Sequence, residues 1–162
     1  MKTKQITVMA MCIALAMILS YVESLIPSLG IPGVKMGLAN IVVVYCLYRM
    51  GWKEAVGISL LRVFLVSLLF GHVASLMYSA AGAALSLAGM LVLKKLDRFS
   101  CVAVSVLGGV LHNVGQILVA IVVTGTPAIV SYLPILLLSG IAAGLFTGFA
   151  AQYFVNRMDR EH

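Results

Sequence analysis

Arg62 interrupts an apolar run, Ala55 to Phe70, that reads as a membrane-spanning helix, and its chemistry constrains the chain more than any other residue. A guanidinium does not shed its proton to enter lipid. Placing one at bilayer depth costs a few kcal/mol even on insertion-based scales. Arg62 therefore needs compensation, from a protein group or from a bound molecule. Other apolar runs carry Asn40, His112, Asn113 and Gln116, while Glu23, Lys35, His72, Ser75, Tyr78 and Ser79 fall at one end of their segments. His112 and Gln116 are four residues apart and share one helix face. Asn113 is turned about 100° from His112. These groups would form a polar pocket in which Arg62, His112, Gln116, Asn40 and Asn113 contact a solute. Lys35 and the 27–35 loop would act as a lid, and Tyr78 and Tyr132 would flank the ligand. A plainer reading has His112, Asn113 and Gln116 only tying helices together, and Arg62 paired with Glu23, which is expected a turn or more too shallow for direct contact. A cation with no carboxylate at its own depth favours an anionic or carbonyl-rich ligand, or bonding to helix carbonyls.

The elements that must position these residues follow from composition. Hydrophobic residues make up 62% of the 162-residue chain and charged residues 10%. Soluble domains average about 45–50% and about 25%, so a soluble fold is excluded. An all-α integral membrane protein is expected, as a single domain of six transmembrane helices over about 5–26, 34–49, 54–70, 73–93, 99–124 and 131–155. Lys35, Gly37 and Asn40 thin the first turns of the second helix. The prolines and glycines of 27–33 forbid a continuous helix there. Lys2 and Lys4 precede an apolar run too long for a cleavable signal, so that run is read as the first helix.

With the N-terminus inside, Lys2, Lys4, Arg49, Lys53, Lys94, Lys95, Arg98, Arg157 and Arg160 all fall on the cytoplasmic side. That is nine of the eleven basic residues, a positive-inside pattern for a multi-pass protein of a bacterial cytoplasmic membrane with both termini cytoplasmic. Dispersed over four segments, these bases do not form a nucleic-acid surface. Trp52 fits an interfacial anchor. Cys12, Cys46 and Cys101 map to the cytoplasmic third of their helices and are expected as free thiols.

Small residues recur every four positions at Gly140, Gly144 and Gly148, at Ser75, Ser79 and Ala83, and at Ala10 and Ala14. Such spacing lets helix backbones approach closely, within the monomer or, on the first helix, against a partner membrane protein. No P-loop, catalytic triad string or metal-ligand spacing is present, so no cofactor is expected and any ATP-driven step belongs to a partner.

The string Pro32-Gly33-Val34-Lys35-Met36-Gly37-Leu38-Ala39-Asn40-Ile41, with Leu61-Arg62-Val63, Leu69-Phe70-Gly71 and His112-Asn113-Val114-Gly115-Gln116, resembles the Gx transporter family, also catalogued as heptaprenyl diphosphate synthase component I. By that resemblance the chain is similar to the substrate-binding S components of energy-coupling factor transporters. Those are six-helix proteins that capture vitamins from outside and dock, through a small-residue face of the first helix, on a transmembrane partner driven by ATPases. Ala10 and Ala14 match that face. The catalogue name implies a different role, in isoprenoid or menaquinone synthesis. Prenyl diphosphate synthases hold Mg²⁺–diphosphate with clustered aspartates, whereas Glu23, Glu54, Asp97, Asp159 and Glu161 are the only acids here and are scattered. The chain is therefore expected not to be an enzyme by itself, only an accessory subunit at most. The first expectation is a membrane-embedded subunit that binds a small anionic or flavin- or quinone-like solute on the outer side. The alternatives are a non-catalytic membrane subunit of heptaprenyl diphosphate synthase, and a membrane subunit of an electron-transfer assembly.

Overall fold

The computed structural model describes residues 3–25, 37–70 and 73–160. Among them are six α-helices and no strand: α1 (Thr3–Leu25), α2 (Asn40–Arg49), α3 (Trp52–Phe70), α4 (Val73–Lys95), α5 (Cys101–Thr124) and α6 (Leu133–Arg160), with a 3-10 segment (Pro127–Tyr132) ahead of α6. Among the described residues, four stretches are long and apolar enough to cross a membrane, Gln5–Glu23, Leu76–Lys95, Cys101–Thr124 and Pro127–Met158. α3 is 19 residues long but carries Lys53, Glu54 and Arg62.

The second helix is shorter than the sequence suggests. Gly37 has a left-handed φ of +68°, and the Asn40 N–H bonds the Gly37 carbonyl at 2.8 Å. The described part of α2 thus begins at Asn40 and runs 10 residues. At 1.5 Å per residue this is about 15 Å, half of a ~30 Å hydrocarbon core. Yet α2 is the most enclosed element. Val42, Val43, Val44, Cys46 and Leu47 are buried, and it packs against α1, α3, α5 and α6.

Local chemistry accounts for the helix ends. Ser100 Oγ accepts from the Ala103 N–H at 3.2 Å and starts α5, while Gly125, at φ +61°, closes it with an N–H to the Ile121 carbonyl. Gly51, at φ +129°, makes the turn between α2 and α3, a conformation that side chains with a Cβ rarely take. Beside that turn Lys94 Nζ of α4 donates to the Leu47 carbonyl and lies over the Tyr48 ring at 5.0 Å. The C-terminal ends of α2 and α4 therefore meet.

Glycines set the α4–α5–α6 packing. A Cβ on Gly109 would come within 2.4 Å of the Gly140 carbonyl oxygen, and one on Gly144 within 2.5 Å of Val106 Cα. A Cβ on Gly115 would meet the Ala81 carbonyl oxygen at 2.8 Å. The Gly140, Gly144 and Gly148 row thus packs inside the protein, against α5. On α1 the situation is reversed: Ala10 and Ala14 are exposed, with Ile6, Met11, Leu15 and Ile18 beside them. Cys12, Cys46 and Cys101 are free thiols, and the first two are buried in the apolar core that α1 and α2 share.

Gly109→Ala forces two helix backbones apart and should destabilise by about 1–3 kcal/mol, as overpacking does. Among the described residues Gly57→Ala meets only Met9 Cε, at 3.9 Å, and should leave stability unchanged or slightly raised. Thermal unfolding of both variants in detergent checks the contrast.

Candidate functional site

The α2–α3 hairpin brings the buried cation to its partner. Asn40 lies eleven residues before Gly51 and Arg62 eleven after it, so antiparallel helices from one tight turn bring both to the same level. Arg62 is only 9% exposed, and its Nη2 donates to Asn40 Oδ1 at 3.5 Å. That is a long contact for a charged donor. Arg62 Nε is buried without a partner among the described residues. The same face of α3 buries Ala55, Ile58, Ser59, Val63 and Ser67, so the guanidinium lies in a largely apolar packing layer.

One acidic side chain approaches. The Glu23 carboxylate, near the C-terminal end of α1, accepts a hydrogen bond from the Gly37 N–H and acts electrostatically on Arg62. α1 is thereby tied to the turn that precedes α2. Ala39, at the N-cap position of α2, supplies no side-chain cap. The Glu23 carboxylate thus stands near the positive end of α2, where anions are favoured.

Asn40 also lines a small cavity with Gly37, Gly109, His112, Asn113, Gly140, Gly144 and Thr147. Its volume is about 10 Å³, on the order of one water, whereas sites for small organic ligands run to about 300–1,000 Å³. This conformation holds the walls together and would have to open to admit a solute. The glycines explain how the walls are made: Gly109 and Gly140, where a Cβ would strike the facing backbone, let α5 and α6 meet closely beside the cavity.

Each polar side chain of α5 has a distinct role. Asn113 is 4% exposed, and its Nδ2 donates to the Leu136 carbonyl at 2.6 Å and to Ser139 Oγ at 3.2 Å. It clamps α5 to α6. The His112 ring lies against Gly82 of α4, where a Cβ would come within 2.9 Å of Cε1 and Nδ1. His112 Nε2 is 3.2 Å from Gln116 Nε2, the i,i+4 pairing expected from spacing. Gln116 Oε1 is buried without a partner among the described residues. Ser105 and Thr147 close the floor with a hydroxyl pair at 2.7 Å.

The sequence candidates therefore divide. Asn40, His112 and Asn113 share the cavity, Arg62 joins through Asn40, and Gln116 joins through His112. Tyr78 is half-buried on α4, one turn before Gly82, and is not among the cavity-lining residues. Tyr132 is 51% exposed and does not flank the cavity. Lys35, His72 and the 27–35 lid lie outside the described residues. Glu23, Gly37, Ser105 and Thr147 belong to the site or its support and were not among the expected ligand contacts. The equal spacing of Asn40 and Arg62 about Gly51 was a usable signal for their pairing.

Asn113→Leu leaves the Leu136 carbonyl without this donor and should cost about 1–3 kcal/mol, read as a lowered melting temperature in detergent.

Over residues 12–154 the chain matches the family model described as heptaprenyl diphosphate synthase component I. No curated protein and no solved structure matches it. The match spans nearly the whole chain, from α1 through the site helices into α6, and the protein belongs to the heptaprenyl diphosphate synthase component I family.

Proposed function

We propose that this protein is a membrane-embedded solute-binding subunit, built of six membrane helices with both termini cytoplasmic, that takes up a small solute from the outer side and passes it on through partner subunits. The observation that carries this reading is Arg62, a buried cation whose side-chain hydrogen bond among the described residues goes to Asn40, a wall of the cavity. A buried guanidinium whose hydrogen bond among the described residues is a single 3.5 Å contact has donors that a ligand can use. Asn40, His112 and Gln116 supply both donors and acceptors around it, which suits an anionic or carbonyl-rich head group.

In this topology the Gly51 turn, Lys94 and Arg157 face the cytoplasm, and the Glu23–Gly37 contact faces outward. Opening would separate the start of α2 from α5, because the cavity lies between them and α6. No P-loop occurs in the sequence, so any ATP-driven step would belong to partner ATPases acting through a transmembrane coupling protein. Ala10 and Ala14, exposed on α1, offer a close-packing face for it.

The family's description supports a second reading, a non-catalytic membrane subunit of heptaprenyl diphosphate synthase. The scattered acids of this chain leave the metal–diphosphate chemistry to another polypeptide. The two readings differ in partners: mild-detergent co-purification should recover transporter ATPases in the first case and a soluble, aspartate-rich synthase in the second.

The solute site is tested with protein purified in the presence of native lipid extract. Wild type should retain a small molecule, detected by mass spectrometry, that Arg62→Ala loses at least about ten-fold, equivalent to about 1.4 kcal/mol of binding. A folded wild type that retains nothing the variant lacks rejects the site.

A further inference from the structure

One end of the bundle carries exposed rings and cations that the solute site does not use. Lys94 joins the end of α4 to the Leu47 carbonyl and the Tyr48 ring of α2. Tyr45 Oη of α2 donates to Met158 Sδ of α6 at 2.8 Å. The α2–α3 turn, the α4–α5 turn and the end of α6 therefore lie at one level. Both turns repeat one pattern. Trp52 is 57% exposed, and the exposed Lys53 that follows it places Nζ 5.6 Å from the ring centre. Leu96 and Phe99 are 55% and 48% exposed, with exposed Lys95 ahead of them and exposed Arg98 between them. The α4–α5 turn has a definite shape: Asp97 takes a left-handed φ of 50°, and its N–H donates to the Lys94 carbonyl at 3.1 Å.

We infer that these two turns form a seat for anionic phospholipid: Lys53, Lys95 and Arg98 hold headgroup phosphates, while Trp52, Leu96 and Phe99 enter the interfacial layer of the bilayer. This rests on the membrane-embedded reading above and is independent of the solute site at Arg62.

Side-chain chemistry selects the occupant. Large apolar side chains exposed in a turn gain free energy by leaving water, and amphipathic rings settle at the boundary between headgroups and hydrocarbon. Lysine and arginine stems lie along apolar surface there and keep their charges at phosphate level. Charge then decides the class of lipid. Residues 49–54 and 94–99 hold five bases and two acids, and all of these are described. Of the three other acids in the sequence, Glu23 stands at the far end, beside Gly37. Asp159 and Glu161 are equalled in number by Arg157 and Arg160. A zwitterionic headgroup brings no net charge to answer this excess, whereas each base near an anionic leaflet favours binding. A protein partner suits the surface less well. Protein interfaces are depleted of lysine, and here Trp52, Leu96 and Phe99 each have a base as an immediate neighbour in sequence.

Trp52 is the only tryptophan in the sequence, so its fluorescence reads this level alone. The test uses the full-length protein in phosphatidylcholine nanodiscs, with rising fractions of phosphatidylglycerol or phosphatidylcholine brominated near the headgroup end of the acyl chains. Brominated phosphatidylglycerol should reach half-maximal quenching at a fraction at least about five-fold lower than brominated phosphatidylcholine, the change that one cation near an anionic surface brings. That preference should shrink as salt is raised. Lys95→Gln combined with Arg98→Gln should make the two lipids quench nearly alike. Both positions are exposed, a melting temperature verifies that the variant folds, and the salt series on wild type needs no variant. Glycerol phosphate in the buffer, at matched ionic strength, should leave the preference unchanged. Equal quenching by the two lipids, a preference that survives the double variant, or one that glycerol phosphate abolishes overturns the inference and leaves the membrane reading intact. Quenching by neither lipid overturns it as well: with a co-purified protein present this end is a protein interface, and without one it does not lie at a bilayer surface.

Discussion

The need to compensate one guanidinium in an apolar layer organises this protein. Arg62 cannot lose its charge, so the surrounding elements must bring polarity to its level. The Gly51 turn does so by geometry, because Asn40 and Arg62 are equally spaced about it. α2 then has to begin at Asn40, since Gly37 turns left-handed three residues earlier. A short helix with a polar start, enclosed on four sides, is the result. Glu23, reaching in from α1 to Gly37, completes a chain of contacts that joins three helices at one level.

The rest of the bundle supports this layer rather than taking part in it. α5 and α6 approach through glycines, so close that Gly109 and Gly140 nearly touch backbone to backbone. Asn113 and the Ser105–Thr147 pair lock that contact with hydrogen bonds. Beside that contact lies the cavity on which Asn40 and His112 border. Far from this layer, Lys94 and Tyr48 fasten the opposite ends of α2 and α4, and the outward face of α1 stays apolar and open to lipid or a partner.

Much of this was legible in the residues. Composition and run length gave the all-helical membrane class, and the four-residue spacing of His112 and Gln116 put them on one helix face, where they lie 3.2 Å apart. Asn113 as helix glue was one of two open readings, and its bonds to α6 favour that one. Other features were hidden for physical reasons. Depth estimates from helix ends put Asn40 higher than Arg62, because they assumed a full-length second helix; Gly37 shortens it. Glu23 looked too shallow for direct contact; it acts on Arg62 through its electrostatic field, while its carboxylate bonds the Gly37 N–H. Tyr78 and Tyr132 were placed by level alone, which says nothing of the direction a side chain faces. Cys12 and Cys46 gave no spacing signal because their place in one core depends on how α1 packs on α2.

The central claim is that Asn40 and Arg62 share one level in a polar site reached from the outer side. Its most direct test is labelling of Asn40→Cys, in a variant lacking Cys12, Cys46 and Cys101, by a membrane-impermeant thiol reagent added to one side of sealed membranes at a time. The account predicts labelling from outside, suppressed by the bound solute, and none from inside. Labelling from inside alone, or labelling from outside that the solute does not affect, would contradict it.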